Sequence, residues 1–293
     1  GDNHSAIASY LASLASDNPL KQVHLNLGIA HLRLGNLDSA RNYFLIEDSL
    51  FGGSAEALNN LSYLARQEGD YALAAFYARR ALVEKPHLED ARLNLWHSWR
   101  EAGFSDSAYS DIVARQQMVP LSLQEKFLLA VTALDLGLHR VAAADLKDIL
   151  TDLDQPVQPS YSELSAAPTV TDDRRALKFR SKVLYNLGTA FGIDRKLDSA
   201  ILFLDSALII DPSLVEAWVN LGTAHFSQRE FLKAIEAFRE AVELGTESEI
   251  LFYNLGLAHL ALADTTAAVD CLEKCLSINP DFAPPRQLLG RLR

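Results

Sequence analysis

The amino-acid sequence predicts an all-α protein built as a tandem array of helical hairpins, and two observations carry the prediction. The first is a period: Asn-Leu-Gly recurs with Asn186, Asn220 and Asn254 each 34 residues apart. A fixed spacing of that size marks one supersecondary unit stacked on copies of itself. The second lies inside each unit, where apolar residues return at three- and four-residue intervals on either side of a short break. That is the pattern of two amphipathic helices and not of strands.

The helices of each unit follow from local signals. With Leu-Gly at positions 7 and 8 of a 34-residue frame, position 20 is alanine in every copy: Ala40, Ala74, Ala108, Ala142, Ala200, Ala234 and Ala268. Position 7 is leucine throughout, from Leu27 to Leu255. The break holds Gly35, Gly69, Gly103 and Gly137 at position 15, where a left-handed residue without a Cβ closes the first helix free of steric clash. Copies five to seven have Arg195, Arg229 and Ala263 there, at a modest local cost. Pro86, Pro120, Pro212 and Pro280 at position 32 end the second helix, because the residue before a proline is pushed out of helical geometry. Ser122 with Glu125, Ser213 with Glu216, and Thr246 with Glu249 read as reciprocal caps at first-helix starts.

In sequence order, residues 1–20 hold a lone capping helix over about 4–17, and copies one to four occupy 21–156. The register then breaks once. Between Ala142 and Ala200 lie 24 residues more than one period, an insertion placed at 157–180 that contains Pro159 and Pro168. It is expected as a loop to about Thr171, followed by a helix opened by Asp172 and Asp173, whose charges suit an N-terminus. Structureless loops of more than about 12 residues are uncommon unless functional or disordered, so a hinge, a lid over the groove and a mere ornament are the candidate roles. Copies five to seven occupy 181–282, and 283–293 open an eighth copy or a closing helix.

These residues together resemble the tetratricopeptide repeat, whose pattern runs Trp, Leu-Gly, Tyr, Ala, Phe, Ala, Pro along 34 residues. The copy at 215–248 matches best, with Trp218, Leu221, Gly222, Ala234, Phe238 and Ala241 in place. The resemblance covers about nine tenths of the sequence and implies a right-handed superhelical α-solenoid of about seven hairpins that acts as a non-catalytic scaffold for a protein or peptide partner.

Composition narrows the partner. The protein has 293 residues and a formal net charge of -11, with no basic run, so the electrostatic footprint of nucleic-acid binding is missing. No apolar stretch is long enough to span a bilayer, and GDNHSAIASY lacks the layout of a signal peptide. Cytoplasmic and periplasmic settings both stay open. Cys271 and Cys275, four apart in a helical pattern, read as small core residues. No zinc-protease, phosphate-loop or nucleophile-elbow motif is present. His31, His225 and His259 share position 11, where the family has tyrosine, and a shared packing role explains them better than a shared metal. No cofactor is expected.

Position 6 carries the candidate binding residues Asn26, Asn60, Asn94, Asn186, Asn220 and Asn254, with Leu128 interrupting in copy four. The resemblance implies that first helices line the concave surface and that position 6 faces it. An asparagine amide offers one acceptor and two donors, so it can pair with both polar groups of a peptide backbone. An extended peptide read with little regard to its side groups is the expected ligand. The same residues are also compatible with a merely solvated polar face. Arg33, Arg66 and Arg100 add positive charge along that face, or are solvated surface charges. A carboxylate clamp is not expected, because positions 2 and 5 of the first three copies hold no basic residue.

Trp96 stands at position 8, where the family places a small residue, so copy three must be splayed or repacked, with Trp99 one turn on. Two rival roles remain. One is the targeting module of a larger enzyme, for example a glycosyltransferase. The other is a self-associating array, a homo-oligomer joined through the uncapped C-terminal end.

Overall fold

The computed structural model describes residues 3–14, 22–154 and 170–292. Among these residues every regular element is a helix, and there is no strand. The protein divides into two compact units, Gly1–Leu128 and Leu129–Arg293.

The first unit opens with α1 (Asn3–Leu14), the lone helix expected ahead of the repeats, which packs on α2. Three hairpins follow, α2 (Val23–Arg33) with α3 (Leu37–Phe51), α4 (Ala55–Gln67) with α5 (Tyr71–Glu84), and α6 (Glu89–Glu101) with α7 (Ser105–Gln116). Helix α8 (Leu123–Asp135) begins in this unit and continues into the second. The second unit then holds α9 (His139–Asp154), α10 (Val170–Ile193), α11 (Leu197–Ile210), α12 (Val215–Ser227), α13 (Phe231–Glu243), α14 (Glu249–Ala261), α15 (Thr265–Ile278) and α16 (Ala283–Leu292). The residues expected as loop, 157–169, lie outside the described residues. Residues 170–180 are helical and lengthen the first helix of copy five to 24 residues. Arg180 Nη1 reaches Asp154 Oδ1 at the end of α9, 2.6 Å away.

Each hairpin closes on position 8 of its first helix. A Cβ added at Gly28 would lie 2.4 Å from Phe44 Cε1, and one at Gly222 2.5 Å from Phe238 Cε1. The glycines are what let these fully buried rings lie against the helix backbone. Copy two has small residues on both helices: Ser62 replaces the glycine, Ala78 replaces the ring, and the Ser62 hydroxyl donates to the Ala74 carbonyl at 2.8 Å. Copy three carries the largest residue at position 8, Trp96, with Ile112 at position 24, and both are fully buried. Trp96 is fully buried and its indole N–H donates to Asp111 Oδ2 at 2.6 Å. Helices α6 and α7 pack less closely than α4 and α5 or α12 and α13. The splaying expected from the sequence is thus present, and the indole is core.

The turns bear out the reading of position 15. Gly35, Gly69, Gly103 and Gly137 all have positive φ, and so do Arg195, Arg229 and Ala263, at 59°, 63° and 61°. Of the three caps expected at first-helix starts, one forms. Ser122 N–H donates to Glu125 Oε2 at 3.0 Å and Glu125 N–H to Ser122 Oγ at 3.2 Å. At Ser213 the box does not form because α12 starts at Val215 with Leu214 as its N-cap, one residue too late, and the Ser213 N–H and hydroxyl both donate to Asp211 Oδ1, at 3.2 and 2.5 Å. Thr246 fails for a different reason: α14 starts at Glu249 with Ser248 as its N-cap, two residues too late. Working caps come from the side groups of Ser54, Asp70 and Asp264, each of which accepts from the backbone N–H three residues on.

Candidate functional site

The first helices of copies two and three place three of the expected residues on one cleft of the first unit, and Asn26, Arg33 and Arg100 lie outside it. It has a volume of 380 Å³, and Asn60, Arg66 and Asn94 line it together with Tyr63, Asp90 and His97. The helical period explains the grouping, since residues three and four apart share a face. Asn60 and Tyr63 are one such pair and Asn94 and His97 another.

The asparagines do not stand idle in this cleft. Asn94 Nδ2 donates to Asn59 Oδ1 at 2.9 Å, tying α6 to α4, while Asn60 Nδ2 donates to the Glu56 carbonyl at 3.0 Å. Arg66 Nη1 lies 3.2 Å from Glu101 Oε1 on the next first helix. Each of these bonds uses one N–H of a group that has more to offer, so Asn60 and Asn94 keep a second N–H to present beside a carbonyl oxygen. Arg33 is exposed and Arg100 half-buried, and neither lines the cleft. Asn26 is half-buried on α2.

In the second unit, Asn220 Nδ2 donates to Thr189 Oγ1 at 2.9 Å, joining α12 to α10. Asn220 also lines a smaller, mainly apolar cleft of 210 Å³ with Gly188, Gly192, Leu197 and Thr223. Asn186 Nδ2 donates to the Lys182 carbonyl at 2.8 Å, and Asn254 is half-buried on α14. Leu128, which interrupts the series, is buried.

Sequence reasoning passed over Tyr63 and His97, which complete the first cleft. Both sit three residues after a position-6 asparagine, so a scan of positions 6 and 9 together would have found them.

The histidines at position 11 have a structural explanation. His225 Nδ1 and Glu230 Oε2 are 2.7 Å apart, His259 Nδ1 and Asp264 Oδ2 3.1 Å, and His31 Nδ1 receives Asn36 Nδ2 at 3.5 Å. In each copy the ring bridges the turn to position 16. Among the described residues no group of three or more His, Cys, Asp or Glu residues could hold a metal ion. The cysteines match the core reading: burial pushes the Cys271 thiol up to about 11 and raises that of Cys275, which keeps both protonated and weakly nucleophilic near neutral pH. Cys275 Sγ lies 3.1 Å from the Glu249 carbonyl. Among the described residues no helix is long and apolar enough to cross a membrane.

Comparison with known proteins agrees with the geometry. Family models described as tetratricopeptide repeat match residues 55–86 and 251–282, residues 215–247, and residues 1–49. No curated protein matches the sequence. Among solved structures, a subunit of the APC/C hetero-tetramer Cut9-Hcn1 superposes with a TM-score of 0.68 at 18% identity, over 99% of this protein and 52% of that one. The present protein therefore spans about half of that relative. A tetratricopeptide repeat protein from Parabacteroides merdae superposes with a TM-score of 0.65 at 17% identity, over 88% of this protein and 93% of that one. The type IV pilus biogenesis factor PilW gives 0.65 at 15% identity, over 80% and 97%. Similarity at this level speaks for the fold alone.

Proposed function

Because the protein belongs to the tetratricopeptide repeat family, we propose that it is a protein-interaction scaffold whose first-helix face binds an extended segment of a partner protein. The observation that supports this reading is the cleft in which Asn60, Arg66 and Asn94 converge from two neighbouring first helices. Its chemistry suits a peptide backbone. The remaining amide N–H groups and oxygens of the two asparagines can pair with the carbonyl and N–H groups of a peptide. Tyr63, 38% exposed, supplies a flat apolar wall. The bonds that Asn60 and Asn94 already make hold their amides in place, so little rotamer entropy is lost on binding. Arg66 is tied to Glu101, so it contributes a fixed pair of opposite charges and not a free cation.

Asn186, Asn220 and Asn254 are proposed to act in the same way in the second unit. No catalytic role is part of this reading.

The test is affinity capture with the wild type and with Asn60→Ala/Asn94→Ala, both first matched for helicity by circular dichroism. A partner captured by the wild type is then mapped back onto the protein by hydrogen exchange. Protection on α4 and α6 that vanishes in the variant supports the reading. Equal capture by both proteins, or protection confined to other helices, would overturn it.

A further inference from the structure

Two clefts away from the first-helix face are built from the same repeat positions. The first has a volume of 520 Å³ and lies between α5, α6 and the start of α7, with Phe76, Arg79, Trp99 and Phe104 among its walls. The second, of 280 Å³, lies between α9 and α10, with Arg140, Lys147, Phe191, Asp194 and Lys196 among its walls. In the 34-residue frame both draw on positions 17, 18, 21, 22 and 25 of one copy and positions 10, 11, 14 and 16 of the next. The two are one design used twice.

Their chemistry also agrees. In each, the cation at position 25 stands over the aromatic ring at position 11 of the next copy. The Arg79 guanidinium carbon is 5.2 Å from the centre of the Trp99 ring, and Lys147 Nζ is 4.9 Å from that of Phe191. Between α11 and α12, by contrast, the same two positions are Asp205 and His225. The charge balance is positive in both clefts, although the protein as a whole carries -11. No acidic residue lines the first. In the second, Asp194 is shared by Lys196 at 2.7 Å and Arg140 at 3.5 Å, which leaves Lys147 with no carboxylate among the lining residues. His139 Nδ1, in the same wall, is buried without a hydrogen-bond partner.

Phe76 and Phe104 are more than half exposed along the edge of the first cleft. A ring-floored pocket with a cation pinned over the floor suits a carboxylate whose neighbouring apolar group covers the ring.

We infer that these two inter-repeat clefts are docking pockets for acidic residues of a partner protein, each carboxylate held by the position-25 cation above the position-11 ring. They share no lining residue with the asparagine cleft, so a partner can use them independently of the peptide reading given above.

The experiment is a displayed random-heptapeptide selection on the wild-type protein, counter-selected on Arg79→Glu/Lys147→Glu. Selected peptides are expected to pair Asp or Glu with an aromatic or large aliphatic residue. The best of them, made synthetically, should shift the indole N–H resonance of Trp99, assigned with Trp99→Phe, or the amide resonances around Phe191. Its affinity should fall at least about tenfold, with Arg79→Glu for the first cleft and Lys147→Glu for the second, as expected for loss of a directly paired charge. Arg79→Gln and Lys147→Gln, which reverse nothing, should give intermediate losses, and Asn60→Ala/Asn94→Ala none. The inference is overturned by selection of basic or uncharged peptides, by no enrichment over the counter-selection, or by binding that the asparagine variant abolishes and the charge variants leave intact.

Discussion

Replacing Gly222 by alanine tests the packing rule at position 8 directly. The new methyl would stand 2.5 Å from Phe238 Cε1, 2.6 Å from Cδ1 and 3.0 Å from Cγ. Carbon atoms prefer about 3.5–4.0 Å, so the ring must retreat by roughly 1 Å, and Phe238 is fully buried with nowhere to go. Overpacking of this kind costs about 1–3 kcal/mol. Alanine in a helix interior returns about 1 kcal/mol relative to glycine, which leaves a net loss of about 1 kcal/mol. Gly256→Ala is the control. There the nearest atoms are Leu272 Cδ2 and Cγ at 3.2 Å, and Leu272, although as buried as Phe238, needs to move only a few tenths of an ångström. Its helix-propensity gain should win, so the substitution should be neutral or stabilising. Urea unfolding followed by circular dichroism gives the two midpoints, and amide exchange in α12 and α13 localises the effect, because repeat arrays need not unfold as one unit. The ring as the cause is checked by coupling: in a Phe238→Ala background, Gly222→Ala should cost nothing further. If Gly222→Ala and Gly256→Ala shift the midpoint alike, the glycines are not there for the rings and the account of the hairpin fails.

Three other expectations follow from the same contacts. Ala263→Gly should raise the urea midpoint of the second unit, because the left-handed backbone at φ 61° costs a residue with a Cβ about 1–2 kcal/mol that glycine does not incur. Trp96→Ala should destabilise the first unit by about 3–5 kcal/mol, the range for emptying a large buried aromatic site, as read by thermal unfolding. It should also let α6 and α7 close and so shrink the cleft at Trp99. The carboxyl of Glu230 is held below its usual range by the hydrogen bond from His225 and then by Lys233. A depressed carboxylate contributes stability that is present above its unfolded value of about 4.3 and lost as pH falls through the lower folded value. The advantage of the wild type over Glu230→Gln in a pH series of melting temperatures should therefore be flat near neutrality and disappear in that acid window.

Most of the fold was legible because it rests on short-range rules repeated many times. Ala40 and its equivalents are fully buried in every copy, where a larger residue would overpack the core, so the position announces the architecture. The positive φ at Arg195, Arg229 and Ala263 was legible for the same reason, the neighbouring copies showing glycine in that place. Caps were less readable. Ser213 carries the expected spacing to Glu216, yet α12 starts one residue later, with Leu214 as N-cap, and the Ser213 N–H goes to Asp211 Oδ1, a shift of register that spacing does not encode. The position-6 asparagines were readable as a set, but not the bonds by which Asn94 and Asn220 link neighbouring first helices. The inter-repeat clefts escaped notice because each depends on two residues in different copies, Arg79 with Trp99 and Lys147 with Phe191. Neither member of a pair is unusual alone.

The pairing of positions 8 and 24 within each hairpin also bears on how such a protein can change over generations. A helix exchanged singly between copies would set Gly28 against Ala78 and leave a void, or Trp96 against Phe44 and force a collision. A whole hairpin carries both halves of its bargain and can be duplicated, deleted or moved with its interior intact. The heritable module of this protein is accordingly the helical pair, and recombination breakpoints compatible with folding fall between hairpins, not at the turns within them.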